Sequence, residues 1–194
     1  MNFDLTQEQT MIKKTIREFA EEEVAPGALD RDRTKEFPKE IFKKLSDLGM
    51  MGLPFPEEYG GAGADTVSFA IVTEELSRAC ASTGITYSAH ISLGGAPINL
   101  FGSHEQKQEY LTPICTGESF GAFGLTEPNA GSDAGGTQTT AEDKGDKWVI
   151  NGNKCYITNA SYANHLALTA ITGRNNGNKR SEEHTSELQS PVTI

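Results

Sequence analysis

The chain has 194 residues, of which 36% are hydrophobic and 20 are glycine, and carries a net charge of −10. That length supports one domain, or one and a fraction. The acidic balance argues against a nucleic-acid partner, which needs clustered Lys and Arg, and no apolar run reaches membrane-spanning length. Met1-Asn2-Phe3-Asp4 lacks the basic and apolar regions of a signal peptide, and no Arg-rich transit segment precedes the first helix, which implies a cytoplasmic protein. Cys80, Cys115 and Cys155, with no CxxC, read as reduced, buried or half-buried thiols. His90, His104, His165 and His184 are scattered singly and offer no metal site.

Helices come first. Thr6 with Gln9 forms a capping box, and Met11, Ile12, Ile16, Phe19, Ala20 and Val24 give one apolar face until Pro26. A second helix opens at Phe37-Pro38, turns Ile41, Leu45 and Leu48 inward, and stops at Gly49. Residues 50–63 form a turn-rich connection. Asp65 caps a third helix bearing Val67, Ile71, Leu76 and Cys80, and a fourth runs from Ile85 to about Phe101, with irregularities at Gly94-Gly95 and Pro97. Ser103 with Gln106 opens a fifth, through Tyr110, Leu111 and Ile114 to Gly117.

Near Glu118 the period changes from about 3.6 to 2. Ser119 to Thr126 reads as a strand of small residues, followed by strands over Gly136 to Glu142 and Lys147 to Ile150, joined by a turn at Asp143 to Asp146. Asn151-Gly152 is a hairpin signal leading into a strand over Lys154 to Thr158, with a further strand over Tyr162 to Thr172. The class is α+β: an all-α domain at 1–117, then an incomplete β-barrel-like domain at 118–179.

Two segments carry chemistry. In Gly124 to Gly136, a small residue at Gly124 permits close backbone approach to a flat ring, and Thr126 offers backbone and hydroxyl hydrogen bonds. The Asn129-Ala130-Gly131-Ser132 turn offers consecutive N–H groups that suit a diphosphate or a CoA arm. In Lys154 to Asn159, Tyr156 and Thr158 share one strand face, an aromatic ring beside a hydroxyl. Each segment alone fits an ordinary glycine-rich turn or cross-strand face; their order and spacing after a helical domain favour the functional reading.

With Pro56-Glu57-Glu58-Tyr59-Gly60-Gly61-Ala62-Gly63, Thr73-Glu74-Glu75-Leu76-Ser77-Arg78 and Gly102-Ser103-His104-Glu105-Gln106-Lys107, these segments make residues 1–179 resemble the amino-terminal half of an acyl-CoA dehydrogenase of the short- or medium-chain, butyryl-CoA dehydrogenase-like kind. The resemblance implies FAD contacts at Phe123, Gly124, Leu125, Thr126, Gly131, Ser132, Tyr156, Ile157 and Thr158, with Ser132 also against the acyl-CoA. Tyr156 departs mildly from the family's frequent Trp. It further implies removal of an α-proton by a carboxylate and transfer of the β-hydrogen to flavin, giving the trans-2-enoyl-CoA in fatty-acid or branched-chain amino-acid catabolism. Electrons leave through electron-transferring flavoprotein, and the whole protein is a homotetramer.

The family's catalytic Glu lies in a carboxy-terminal helical domain, which this sequence is expected to lack, so no catalytic residue is assigned. Glu74 and Glu75 serve helix packing and solvation, Glu127 orients a turn, and His90 is a satisfied core residue. Residues 180–194 are expected to be foreign: the back-translation of Arg180 to Ser190 resembles a common short-read sequencing adapter. Two other readings use the same residues, a flavin monooxygenase or nitroalkane oxidase on this scaffold, and a non-enzymatic CoA- or partner-binding fragment. The intact Thr126-Glu127-Pro128 favours the dehydrogenase, and the exposed strand edges of a half-built barrel weigh against the fragment.

Overall fold

The computed structural model describes residues 4–175 and 178–182. Helix α1 (Gln7–Phe19) starts at the expected capping box, Thr6 accepting from the Gln9 amide and Gln9 returning the bond. Its inward stripe is Ile16, Ala20 and Val24, all fully buried. Met11 lies one residue off that four-residue spacing and is 62% exposed.

Pro26 does not end the helical path. The helix widens into a π turn (Ala20–Val24), tightens into a 3-10 turn (Ala25–Gly27), and resumes as α2 (Ala28–Thr34). Proline sits in the first turn of the new segment, where its missing N–H costs nothing, and the Val24 carbonyl accepts from Arg31 Nη2.

Helix α3 (Lys39–Asp47) buries Ile41, Phe42 and Leu45, whereas Leu48, at its cap, stays 40% exposed. The connection that follows is turn-rich yet forms part of the core: Met51, Leu53, Phe55 and Tyr59 are buried. Helix α4 (Thr66–Ala79) is capped by Asp65, whose carboxylate accepts from the Ser68 amide. Val67 points outward, and Cys80 ends the helix in an extended conformation rather than extending it.

Helix α5 (Ala81–Ala89) starts earlier than periodicity suggests, passes through a π segment (His90–Gly95) at the expected glycine pair, and continues as α6 (Ala96–Phe101). The Ser103 capping box opens α7 (His104–Gln106), which runs through a π turn (Lys107–Leu111) into α8 (Thr112–Cys115).

One ion-pair cluster ties α1 to α4. Glu75 is fully buried and accepts from Arg17 Nε at 3.0 Å, Arg17 Nη2 at 2.7 Å and Arg78 Nε at 3.1 Å. Glu74 faces solvent. The Arg17 bonds lead in holding the Glu75 carboxyl below its ordinary value, against the upward push of burial.

The strands are β1 (Gly121–Gly124), β2 (Thr140–Asp143), β3 (Trp148–Asn151), β4 (His165–Leu168), β5 (Ala170–Asn175) and β6 (Asn178–Glu182). β1 pairs in parallel with β4, and a second sheet has the order β3-β2-β5-β6. Among the described residues the strands form two sheets, not a closed barrel. Several expected strands shorten. Residues 134–136 form a 3-10 turn instead of opening β2, and the stretch 162–172 divides at Thr169, where the chain leaves one sheet for the other. There the Thr169 amide bonds Gly124 O and the Ile171 amide bonds Thr139 O. Lys154 to Thr158 form no strand at all. Of the residues expected to be foreign, Arg180 to Glu182 pair with β5, and the rest lie outside the described residues.

The helical part meets β1 through the π segment. A Cβ on Gly94 would lie 2.5 Å from the Gly121 backbone, and one on Gly121 would lie 2.7 Å from Gly94 Cα, so both positions need glycine for this approach. His90, fully buried, accepts the Gly121 amide at Nδ1 (3.3 Å), and its Nε2 donates to Met51 O and Ile114 O, each at 3.2 Å. Desolvation brings His90 down to about 4, so the ring is neutral. Phe120 packs edge-on to Phe37 and Phe42 beside this seam. No helix among the described residues is long and apolar enough to cross a membrane.

Two outcomes follow. Glu75→Gln lowers stability by about 2 kcal/mol at pH 7 in chemical denaturation. Because the folded-state carboxyl is held low, the wild-type advantage is full above the ordinary carboxylate range and shrinks as pH falls below about 4. Gly94→Ala costs about 3 kcal/mol, since the methyl meets backbone and not a movable side-chain end.

Candidate cofactor-facing site

β1 ends at Gly124 and delivers Leu125 and Thr126 into a tight turn. Glu127 and Ala130 exchange both backbone bonds, at 2.9 and 3.1 Å, across Pro128-Asn129. The Ala130 N–H is thereby spent, so of the consecutive amides expected on 129–132 that one is taken by the turn itself. Gly131 and Ser132 are exposed, and a Cβ on Gly131 would meet nothing within 4 Å.

The turn is anchored from beneath by Glu127, 6% exposed. Its carboxylate accepts from the Thr137 hydroxyl (3.0 Å), the Gln138 amide (2.7 Å) and the Thr139 amide (3.0 Å). Lys154 Nζ reaches the same carboxylate at 2.8 Å and also meets Leu125 O at 3.1 Å, Thr169 Oγ1 at 3.2 Å and Thr137 Oγ1 at 3.4 Å. Burial pushes the Glu127 carboxyl up, but Lys154 and the Thr139 and Gln138 donors outweigh it and hold the group far below the ordinary carboxylate range. The turn-orienting role expected of Glu127 is what the geometry provides. Lys154 is the residue sequence reasoning overlooked; a lone Lys before an aromatic-hydroxyl pattern, 27 positions from an acidic turn, was the only signal.

Local bonds replace the strand expected at 154–158. The Cys155 amide donates to Thr126 O at 2.9 Å, and a further turn closes from Ala160 N to Ile157 O at 3.2 Å. Tyr156 and Asn159 take left-handed backbone, φ 57° and 71°. Asn159 Nδ2 donates to Thr86 O at 3.0 Å and Gly121 O at 3.4 Å, pinning the loop to α5 and β1. Tyr156 and Thr158 are both exposed, Tyr156 by 94%, but by loop geometry and not strand alternation.

The structure thus brings the two segments together through Leu125-Thr126 and Lys154-Cys155. Phe123, Leu125, Thr126 and Ile157 are half-buried, Gly124 is buried, and Gly131, Ser132, Tyr156 and Thr158 are exposed. A Cβ on Gly124 would lie 3.3 Å from both Leu168 Cβ and Lys154 Cγ, so on that side the glycine serves the protein's own packing. The exposed Tyr156 and Thr158 thus stand in a loop bonded to the Leu125-Thr126 turn through Lys154 and Cys155. Among the described residues, no group of three or more His, Cys, Asp or Glu could hold a metal ion.

Lys154→Met leaves the Glu127 carboxylate buried without its cation. It lowers stability by about 3 kcal/mol and speeds hydrogen exchange at the Gln138 and Thr139 amides, measured by mass spectrometry, while α1 and α4 exchange as before.

Residues 6–118 match the acyl-CoA dehydrogenase N-terminal domain, and residues 122–187 match the acyl-CoA dehydrogenase middle domain. The chain is 57% identical over 179 residues to the "Probable acyl-CoA dehydrogenase YngJ" of Bacillus subtilis (strain 168), covering 92% of this chain and 47% of that protein. The butyryl-CoA dehydrogenase structure from Megasphaera elsdenii superposes with a TM-score of 0.85 at 40% identity, covering 91% of this chain and 47% of that one. An acyl-CoA dehydrogenase complexed with FAD, from Bacillus anthracis, gives a TM-score of 0.83 at 39% identity, over 92% and 31% respectively. The chain spans about half the length of the curated relatives it matches. With both domain matches in chain order and the two segments joined in space, the chain belongs to the acyl-CoA dehydrogenase family.

Proposed function

We propose that this chain supplies the cofactor-facing half of an FAD-dependent dehydrogenase that converts short acyl-CoA thioesters to trans-2-enoyl-CoA. The observation that carries this reading is the Lys154-Glu127 lock, which presents Tyr156 and Thr158 beside Leu125 and Thr126. Bound FAD supplies the acceptor for the β-hydrogen. Among the chain's own residues, Thr126 offers backbone and hydroxyl groups to the polar edge of the ring, with Phe123, Gly124, Leu125, Gly131 and Ile157 around it. Tyr156 would pack on the ring, and Thr158 would offer its hydroxyl to the ring's polar atoms. Ser132, exposed at the open end of the turn, lies against the acyl-CoA.

An α-proton next to a thioester needs a desolvated carboxylate free to accept it. Glu127 is committed to Lys154 and three further donors, and Glu75 to Arg17 of α1 and Arg78 of its own helix. Both are held below the ordinary carboxylate value, Glu127 far below it, so the hydrogen bonds around each favour the ionised form. We therefore take the base to lie outside the described residues, as the family resemblance implies. Electron-transferring flavoprotein as the electron acceptor, a tetramer and a cytoplasmic setting belong to the same proposal, and the butyryl-CoA dehydrogenase likeness supports the short-chain preference.

The 194-residue chain incubated with FAD, butyryl-CoA and a dye acceptor binds FAD weakly but saturably by fluorescence and shows no turnover. Tyr156→Ala weakens that binding by about 1 kcal/mol, roughly fivefold. Soluble yellow protein with turnover would overturn the placement of the base, and FAD binding indifferent to Tyr156 would overturn the site.

A further inference from the structure

Tyr156, Ile157 and Thr158 hang between two anchors. In front of them Lys154 is bound to Glu127, and the Cys155 amide to Thr126 O. Behind them Asn159, 9% exposed, donates from Nδ2 to Thr86 O of α5 at 3.0 Å and to Gly121 O of β1 at 3.4 Å. The Asn159 carbonyl in turn accepts from the Tyr162 and Ala163 amides, at 2.8 and 2.9 Å. Tyr162 stacks on Phe37 with ring centroids 4.0 Å apart, so the rear anchor is itself held.

The rear anchor asks for asparagine. Tyr156 and Asn159 are both left-handed, a conformation asparagine adopts more readily than most residues and a tyrosine only where its surroundings hold it there. Both partners of Nδ2 are carbonyl oxygens, so an amide donor serves where a carboxylate of the same shape cannot. Thr86 O has room for this second donor. Where α5 passes into the π segment, the His90 amide is shared between Thr86 O and Tyr87 O, and a carbonyl carries two lone pairs.

We propose that Asn159 is a positioning residue for the cofactor-facing surface, acting through Tyr156 and Thr158; this rests on the FAD reading of that surface. Lys154 fixes where the loop begins, and Asn159 fixes how far it stands from α5 and β1. Without the Asn159 donor, residues 156–158 swing about the front anchor while the Cys155 amide stays bonded. The π segment thereby gains a second use. Its glycine brings β1 against the helical part, and its entry leaves a carbonyl to which the second segment is tied.

Asn159→Gly keeps the left-handed backbone and removes the donor. In the 194-residue chain without FAD it speeds hydrogen exchange at the Ala160 amide, which bonds Ile157 O, about tenfold. The Cys155 amide and the amides of α4 exchange as before. By fluorescence, Asn159→Gly weakens FAD binding about fivefold, as Tyr156→Ala does. The double variant Asn159→Gly/Tyr156→Ala also loses close to fivefold, not the roughly 25-fold of two independent residues, because a ring that is gone needs no positioning.

Unchanged Ala160 exchange, wild-type FAD binding by Asn159→Gly, or multiplied losses in the double variant would each overturn the proposal. If Asn159→Gly does not fold, Asn159→Asp replaces it with the same outcomes, since aspartate keeps the shape and tolerates the backbone but cannot donate. Failure of the FAD reading looks different: the wild-type chain then binds no FAD saturably, or Tyr156→Ala binds it equally well. The Ala160 exchange then decides by itself whether Asn159 positions the loop.

Discussion

A buried ammonium group must find its acceptors inside the protein, and Lys154 finds them on three separate stretches of chain. Leu125 and Glu127 come from the turn after β1, Thr137 from the approach to β2, and Thr169 from the crossing between β4 and β5. Satisfying one cation therefore fixes where four segments meet. It also turns the Leu125 carbonyl inward, while the Cys155 amide bonds the Thr126 carbonyl. The surface that results is half-buried apolar residues beside an exposed aromatic ring, and its outward face is set by what the inward face must satisfy.

That lock would float without the seam beneath it. Gly94 and Gly121 let helix and strand backbones approach more closely than any side chain allows, and His90 supplies acceptor and donor to groups a close approach would otherwise strand. Asn159 bonds both α5 and β1 from the second segment. The helical part thus acts as the rigid bed on which both segments are aligned, and a neutral His90 keeps an unpaired charge out of that bed.

Features decided by near neighbours in sequence were legible. The capping boxes at Thr6 and Ser103, the Asp65 cap and the irregularity at Gly94-Gly95 depend on residues within one or two turns, and all are present. The two chemical segments were legible as motifs, and the structure joins them. What was not legible depends on partners far along the chain. Lys154 to Thr158 reads as a strand because its residues alternate, but its first two residues bond Glu127 and Thr126, far earlier in the chain. Pro26 reads as a stop because the rescue of the Val24 carbonyl comes from Arg31 in a helix not yet begun. Met51 to Tyr59 reads as connection because turn residues mask four core side chains.

The most direct test of the claim that these segments form one cofactor-facing surface is amide chemical-shift mapping of the isotope-labelled chain titrated with FAD, a method suited to weak binding. The account predicts perturbations concentrated at Thr126, Gly131, Ser132, Ile157 and Thr158, moving together with one saturation curve. Shifts confined to one segment, or gathered instead on the helical part away from β1, would contradict it.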